Sequence, residues 1–292
     1  MRVLFLLSFV FASLFALSDN FIEMSDSKVA NGKTALIEFN NVKDLQYESV
    51  LVSGKEFQIF STPFDAKKSY ALIPFSYYEK LGKKELKVKY REGKQENSKR
   101  LVLKVISGKY AKEEIVVDAK KVNPKSKAVK KRISQEYKEA MQIYGRVTPK
   151  SYISKPFILP LESKVTSAFG KARVYNGSLK GYHSGTDFRA PVGTPIIAAN
   201  DAEVALVKKR FYSGGTVLLN HGQGVYTCYF HMSQFKVKKG DIVKRGDVLG
   251  LSGQSGRVTG PHLHFSARIN GVQVDPLHLV QLINTKLLQK GN

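Results

Sequence analysis

Through most of this chain the apolar residues come in short runs cut by turn residues, the texture of β-strands, whereas one stretch before the C-terminal half keeps an apolar repeat at helical spacing. Residues 19–107 carry such runs, "TALIEFN", "SVLVSG", "FQIFS", "SYALIPF", "ELKVKY" and "RLVLKVI", separated by turn pairs such as Ser53-Gly54, Leu81-Gly82 and Glu92-Gly93. Their spacing predicts a β-sandwich-like domain. The exception runs from near Ser126 to Tyr144, where Val129, Ile133, Tyr137 and Met141 recur every fourth residue. This predicts a helix whose stripe packs against a neighbouring domain, stopped by Gly145 and followed by a loop at Thr148-Pro149. From 155 to 292 strands return, broken by frequent glycines. The fold class expected is mainly β: an N-terminal β domain at 19–107, a basic linker and helix at 108–154, and a C-terminal β domain at 155–292.

The chain is 42% hydrophobic, with 17 Phe and 14 Tyr, enough for real cores. Its first 18 residues, "MRVLFLLSFVFASLFALS", place one Arg before an apolar run and then small residues at Ala16 and Ser18. That is the pattern of a cleaved secretory signal, with a retained anchor as the alternative. No later segment reaches the roughly 20 apolar residues needed to span a bilayer. Cys228 is the only cysteine, so no intramolecular disulfide can form despite the exported address. A formal charge of +23 suggests polyanionic partners, nucleic acid or the anionic material of a bacterial envelope, and export favours the envelope. A solvated basic surface without a specific partner is the plainer alternative. The basic residues around Pro124, namely Lys120, Lys121, Lys125, Lys127, Lys130, Lys131 and Arg132, read as a solvated linker entering the helix rather than a nucleic-acid arm.

All six histidines, His183, His221, His231, His262, His264 and His278, fall in the C-terminal half, which locates the chemistry there. In "YHSGTDF" His183 and Asp187 are separated by three residues including Gly185, the spacing of a turn. In "TGPHLHF" His262 and His264 share one strand face while Leu263 and Phe265 share the other. One of the paired imidazoles can complete a His₂Asp set for Zn²⁺ with a fourth position left for water, and the other can move protons. Zinc lowers the pKa of bound water to about 7, close to the ordinary imidazole value of about 6.5. Spacing alone leaves open which histidine takes which role. In "VYTCYFH" strict alternation puts His231, Tyr229 and Thr227 on one face and turns Cys228 away as a small core residue. His221, at a glycine turn, reads as a structural hydrogen-bonding residue, and His278 as incidental.

Taken together, "SAFGKARVYNGSLKGYHSGTDFRAPVGTPIIA", "LNHGQGVYTCYFHMS", "VKKGDIVKRGDVLGLSGQSGRVTGPHLHF" and "VDPL" resemble the lysostaphin-like, or LytM-type, zinc metallopeptidases that cut peptidoglycan cross-links. The resemblance spans about 156–278, and the preceding helix resembles the lead-in of Gram-negative envelope members. It implies a compact antiparallel β fold with a groove. It further implies His183, Asp187 and His264 as zinc ligands, and His231 and His262 as catalytic histidines that orient or deprotonate water and stabilise the oxyanion. Asn176, in a family-like "NG" turn, is a candidate substrate contact. The activity implied is periplasmic D,D-endopeptidase cleavage of peptidoglycan between D-Ala and diaminopimelate, for wall remodelling and cell shape, with contact to membrane only during export. D,D-carboxypeptidase trimming of stem peptides is the runner-up. The N-terminal β region lies outside the resemblance, and shielding or positioning of the groove is the role such regions play in several members.

Other classes fit less well. "GQSGRVTG" lacks the Lys-Ser/Thr step of a phosphate cradle, so its glycines read as tight turns. "VKKGDIVKRGDVLG" resembles biotinyl-carrier turns, yet no lysine-bearing hairpin follows. A non-catalytic amidase-activating adaptor is the rival from another class, but such relatives have typically lost ligands and this chain keeps all five matching residues. A nucleic-acid binder would rest on charge alone, without an interleaved aromatic or zinc-finger pattern.

Overall fold

The computed structural model describes residues 21–115, 124–175 and 177–288, so the leader at 1–18, Lys120, Lys121 and Asn176 lie outside the described residues. Two sheets build the N-terminal domain. One runs in the order Ile22–Met24, Thr34–Asn40, Lys68–Pro74, Phe60–Ser61; the other runs Lys28–Ala30, Gln95–Ile106, Gly82–Glu92, Leu45–Val52, Lys55–Gln58. Ile37, Phe39, Ala71 and Ile73 from the first face Val50, Leu86, Val88 and Leu103 from the second in one buried core. This is the expected sandwich.

The strand Lys68–Pro74 is buried on both faces, which alternating polarity would not have allowed. Ala71 and Ile73 point into the sandwich, whereas Tyr70 and Leu72, with Leu36 of the neighbouring strand, belong to the core of the C-terminal domain. There they meet residues such as Val274, Leu279 and Ile283. The two domains therefore share a wall. Stacking seals a second contact, because Tyr77 lies parallel to Tyr182 at 4.0 Å, and Tyr182 immediately precedes His183.

The main C-terminal sheet runs Val165–Ser167, Thr186–Arg189, His262–Ile269, Val225–Met232, Gly214–Asn220, Ala202–Arg210, Ile242–Val243, with Val272–Val274 hairpinned onto His262–Ile269. One face buries Leu263, Phe265, Ala267, Ile269 and Tyr229 in the large core. Over part of the opposite face lies the helix Lys127–Tyr144, capped by Ser126, whose side chain accepts from Val129 N, and closed at Gly145. The expected every-fourth stripe is only partly the packed one. Tyr137 is 63% exposed, and the buried positions are Glu136, Ala140, Ile143 and Tyr144, set on Leu206, Leu218, Tyr226 and Cys228. A strict four-residue repeat drifts about 40° per step around a helix of 3.6 residues per turn, so it cannot stay centred on one packed face, although Met141 still packs at the edge of this one.

Within the stretch read as a solvated linker, Lys112–Ile115 forms a strand that pairs in parallel with Ala172–Tyr175. Parallel pairing to a distant segment leaves no local signature in a polar run. Cys228 also departs from expectation: it stands opposite Ser266, two rows from the pair Phe230 and His264, on the sheet face that carries His264. It is nonetheless a core residue, covered by the helix with Tyr144 Oη 3.4 Å from its Sγ.

His221 performs the structural role expected of it. Fully buried, it spans from the Asp201 carbonyl (Nδ1, 2.8 Å) to Thr227 Oγ1 (Nε2, 2.7 Å). Burial pushes its pKa down to about 4. The unfolded chain, with an ordinary imidazole near 6.5, then binds the extra proton first. The His221 contribution to stability is thus expected to be lost as pH drops from about 6.5 to about 4, on the order of 3 kcal/mol. Chemical denaturation at stepped pH should show this slope, and His221→Gln should reduce it by that share. Leu263, wholly buried between the paired histidines but facing the other way, gives a second expectation. Leu263→Ala should lower unfolding free energy by about 2–5 kcal/mol in the same assay.

Candidate metal centre and catalytic cleft

Asp187 and His264 come together through register. Across the antiparallel pair Thr186–Arg189 and His262–Ile269, Asp187 stands opposite His264 and Arg189 opposite His262, and directly paired residues project to one face. The next strand extends the row, with Phe230 opposite His264 and its ring 5.3 Å away at an interplanar angle of 10°. His183 arrives from the turn before Thr186–Arg189. Gly185 makes that turn possible, since a Cβ there would lie 2.5 Å from His264 Nε2 and 2.4 Å from the Phe265 carbonyl.

Three donor atoms converge: His183 Nε2 lies 2.9 Å from Asp187 Oδ1 and 3.0 Å from His264 Nδ1, and His264 Nδ1 lies 2.7 Å from Asp187 Oδ1. All three residues are buried. The His183 Nδ1–H donates to the Ala168 carbonyl at 2.8 Å, an oxygen that can only accept, so a neutral His183 presents a bare lone pair at Nε2. Burial works against the Asp187 charge, but the two imidazoles beside it hold the carboxyl well below the usual range. Burial, opposed by Asp187, pushes His264 down to about 4. With both imidazoles neutral, the centre gathers three electron pairs with at most one proton, on His264, to separate them. Such a cluster calls for a cation. Two nitrogens and one carboxylate oxygen, spaced slightly inside the about 3.3 Å that tetrahedral bonds of about 2.0–2.1 Å would set, fit Zn²⁺.

His231 and His262 flank this centre. Their ring centroids are 4.8 Å apart, His231 lies 6.0 Å from His264, and His262 Nε2 is 3.7 Å from Asp187 Oδ1. Each donates its Nδ1–H to a backbone carbonyl, His231 to Ser255 at 2.8 Å and His262 to Gly260 at 2.9 Å. In its neutral form each ring thus offers an Nε2 lone pair. Burial, with His262 and His264 alongside, pushes His231 down to about 3, so it is neutral at physiological pH.

Strict alternation would have put His231 on the core face with Tyr229, away from the metal centre. A β-bulge corrects this. Gly215 pairs with Met232 and Val217 with Tyr229, so Phe230 and His231 together oppose Thr216, and His231 takes φ of 65°. Gly215 permits the bulge, because a Cβ there would lie 2.1 Å from the Met232 carbonyl.

Two residues of the centre carry no signal in the sequence. Arg173 Nη2 lies 3.2 Å from Asp187 Oδ2 and so orients the carboxylate, leaving Oδ1 for the histidines. Glu113, from the unexpected strand, in turn braces Arg173 (Nε, 3.4 Å), Lys171 (Nζ, 3.0 Å) and Ser167 (Oγ, 2.8 Å). Above the centre opens a cleft of about 390 Å³ whose lining includes Glu113, Arg173, Arg189, His231, Arg257 and His262.

Residues 181–276 match the model of peptidase family M23. The chain is 40% identical over 121 residues to the peptidoglycan DD-endopeptidase ShyA of Vibrio cholerae, a match covering 40% of this chain and 28% of that protein. It is 43% identical over 95 residues to the DD-carboxypeptidase/endopeptidase Mpg of Neisseria meningitidis, covering 32% and 22% respectively. The chain thus aligns with under a third of the length of these relatives. A Pseudomonas aeruginosa crystal structure assigned to peptidase M23 superposes with a TM-score of 0.66 at 28% identity, over 86% of this chain and 94% of that one, and so extends the likeness through the N-terminal sandwich. The five converging side chains all lie within the matched span, and this chain carries in its C-terminal half a domain of peptidase family M23.

Proposed function

We propose that the protein is an exported, zinc-dependent peptidoglycan D,D-endopeptidase of the periplasm, hydrolysing the cross-link amide between D-Ala and diaminopimelate. The observation that carries this reading is the meeting of three donor atoms with two further imidazoles at the floor of one cleft. Names of the relatives, peptidoglycan DD-endopeptidases among them, support the substrate class. His183, Asp187 and His264 would hold Zn²⁺, which when bound supplies Lewis-acid polarisation of a carbonyl and lowers the pKa of water to about 7. Arg173 keeps Asp187 turned toward that position. His231 and His262, their Nδ1 protons already spent, accept a hydrogen bond from the attacking water through Nε2. An imidazole that has taken the water's proton becomes an Nε2–H donor facing the carbonyl oxygen as charge develops there, and then the leaving amine. The bulge that aims His231 fixes this role in the backbone rather than in a rotamer.

A second reading, D,D-carboxypeptidase trimming of stem pentapeptides, is favoured by the relative named for both activities. The same centre serves either bond. Purified muropeptides incubated with the full chain discriminate: cross-linked dimers converted to monomers indicate endopeptidase action, pentapeptides converted to tetrapeptides indicate trimming, and both should stop with a chelator. Dimers and pentapeptides that survive beside zinc-loaded protein would sink both and leave the adaptor.

Substitutions separate the roles. His183→Ala and Asp187→Ala each leave two protein donors and should lose stoichiometric zinc, read by elemental analysis, together with cleavage. Full zinc in His183→Ala would contradict the assignment. His231→Ala should retain zinc yet lose about 10²- to 10⁴-fold in rate; an unchanged rate would remove His231 from the chemistry.

A further inference from the structure

Beside the cleft, on the same sheet face, a larger pocket of about 620 Å³ lies between that face and the helix Lys127–Tyr144. It shares walls with the metal centre. Phe230, which lies flat against His264, lines it, as do Ser184, next to His183, and Ser213, whose carbonyl takes the His231 N–H at 2.8 Å. Its size suits one arm of a small peptide ligand.

The charges in this pocket are unbalanced. Lys130, Arg210 and Arg268 line it against one acid, Glu136. Glu136 is already satisfied: Oε1 accepts from Arg132 Nε at 2.8 Å and Oε2 from Phe211 N at 2.9 Å. Arg268 is committed too, donating to the Gly271 carbonyl at 2.7 Å with its guanidinium 4.5 Å over the Tyr144 ring. Arg210 is different. It donates through Nη2 to the Glu136 carbonyl at 2.5 Å and has no other acceptor among the described residues, although a guanidinium offers five N–H groups. Tyr137, Met141, Tyr144 and Phe230 supply apolar walls around it. A half-buried cation with spare donors in an apolar pocket matches an aliphatic chain ending in a carboxylate.

Building on the peptidase reading, we propose that this pocket receives a carboxylate-bearing arm of the peptide substrate, and that Arg210 is the residue that reads the carboxylate. Recognition sits on the helix side of the metal centre, opposite the Arg173 cleft, so the peptide runs across His264 with one arm on each side. Arg210 acts in selection of the substrate rather than in bond cleavage.

Binding tests this without depending on turnover. Zinc-loaded, full-chain His231→Ala protein is titrated calorimetrically with a cross-linked stem peptide bearing free terminal carboxylates and with the same peptide as its carboxamide. The free acid should bind about tenfold or more tightly, the range for a charge-assisted hydrogen bond. Arg210→Gln in the same background should erase the preference, and Arg210→Lys should keep part of it. Equal affinities for acid and amide, or a preference that survives Arg210→Gln, would overturn the proposal. If Arg210→Gln fails to fold, the acid–amide comparison and Arg210→Lys decide it. Cleavage assays on the unsubstituted protein answer separately: failure to cut either peptide would strike the peptidase reading, while a measured acid preference would still establish the pocket.

Discussion

The pairing of Asp187 with His264 across two antiparallel strands is the constraint on which the site depends. It places a carboxylate and an imidazole on one face at hydrogen-bond distance, and one further turn, closed by Gly185, brings His183 to the same point. A slip of one residue would turn His262 and His264 into the core and expose Leu263 and Phe265. The apolar packing of those two residues, both fully buried, is thus what holds the paired histidines in place. Core and chemistry are alternate residues of one strand.

The sequence disclosed much of this because the operative periods are short. Alternation sufficed to pair His262 with His264, and a glycine between His183 and Asp187 sufficed to suggest a turn. His231 was legible as a residue but not as a direction, since the bulge that swings it onto the metal face depends on Gly215 in a partner strand. Glu113 was illegible for a related reason: its strand is polar, pairs in parallel with a distant segment and gains meaning only against Arg173 and Lys171. The sandwich could be read from its runs, but the burial of Lys68–Pro74 on both faces could not, because Tyr70 and Leu72 look like ordinary strand residues until the second domain covers them.

The surplus of positive charge acquires a location as well. Arg173, Arg189 and Arg257 border the cleft, and Arg210 and Arg268 border the neighbouring pocket, so part of the formal +23 is gathered around these two cavities. Several of these cations are already braced by carboxylates or carbonyls, which fixes their positions before any ligand arrives. A preordered basic surface suits an anionic ligand.

The wall common to both domains has one more consequence. Tyr70 and Leu72 project from the sandwich into the catalytic half's own interior, and the Tyr70 hydroxyl bonds Gln223 there. Neither half is a detachable module in the usual sense. Excising the first hundred or so residues would leave an oily scar on the remainder, prone to self-association.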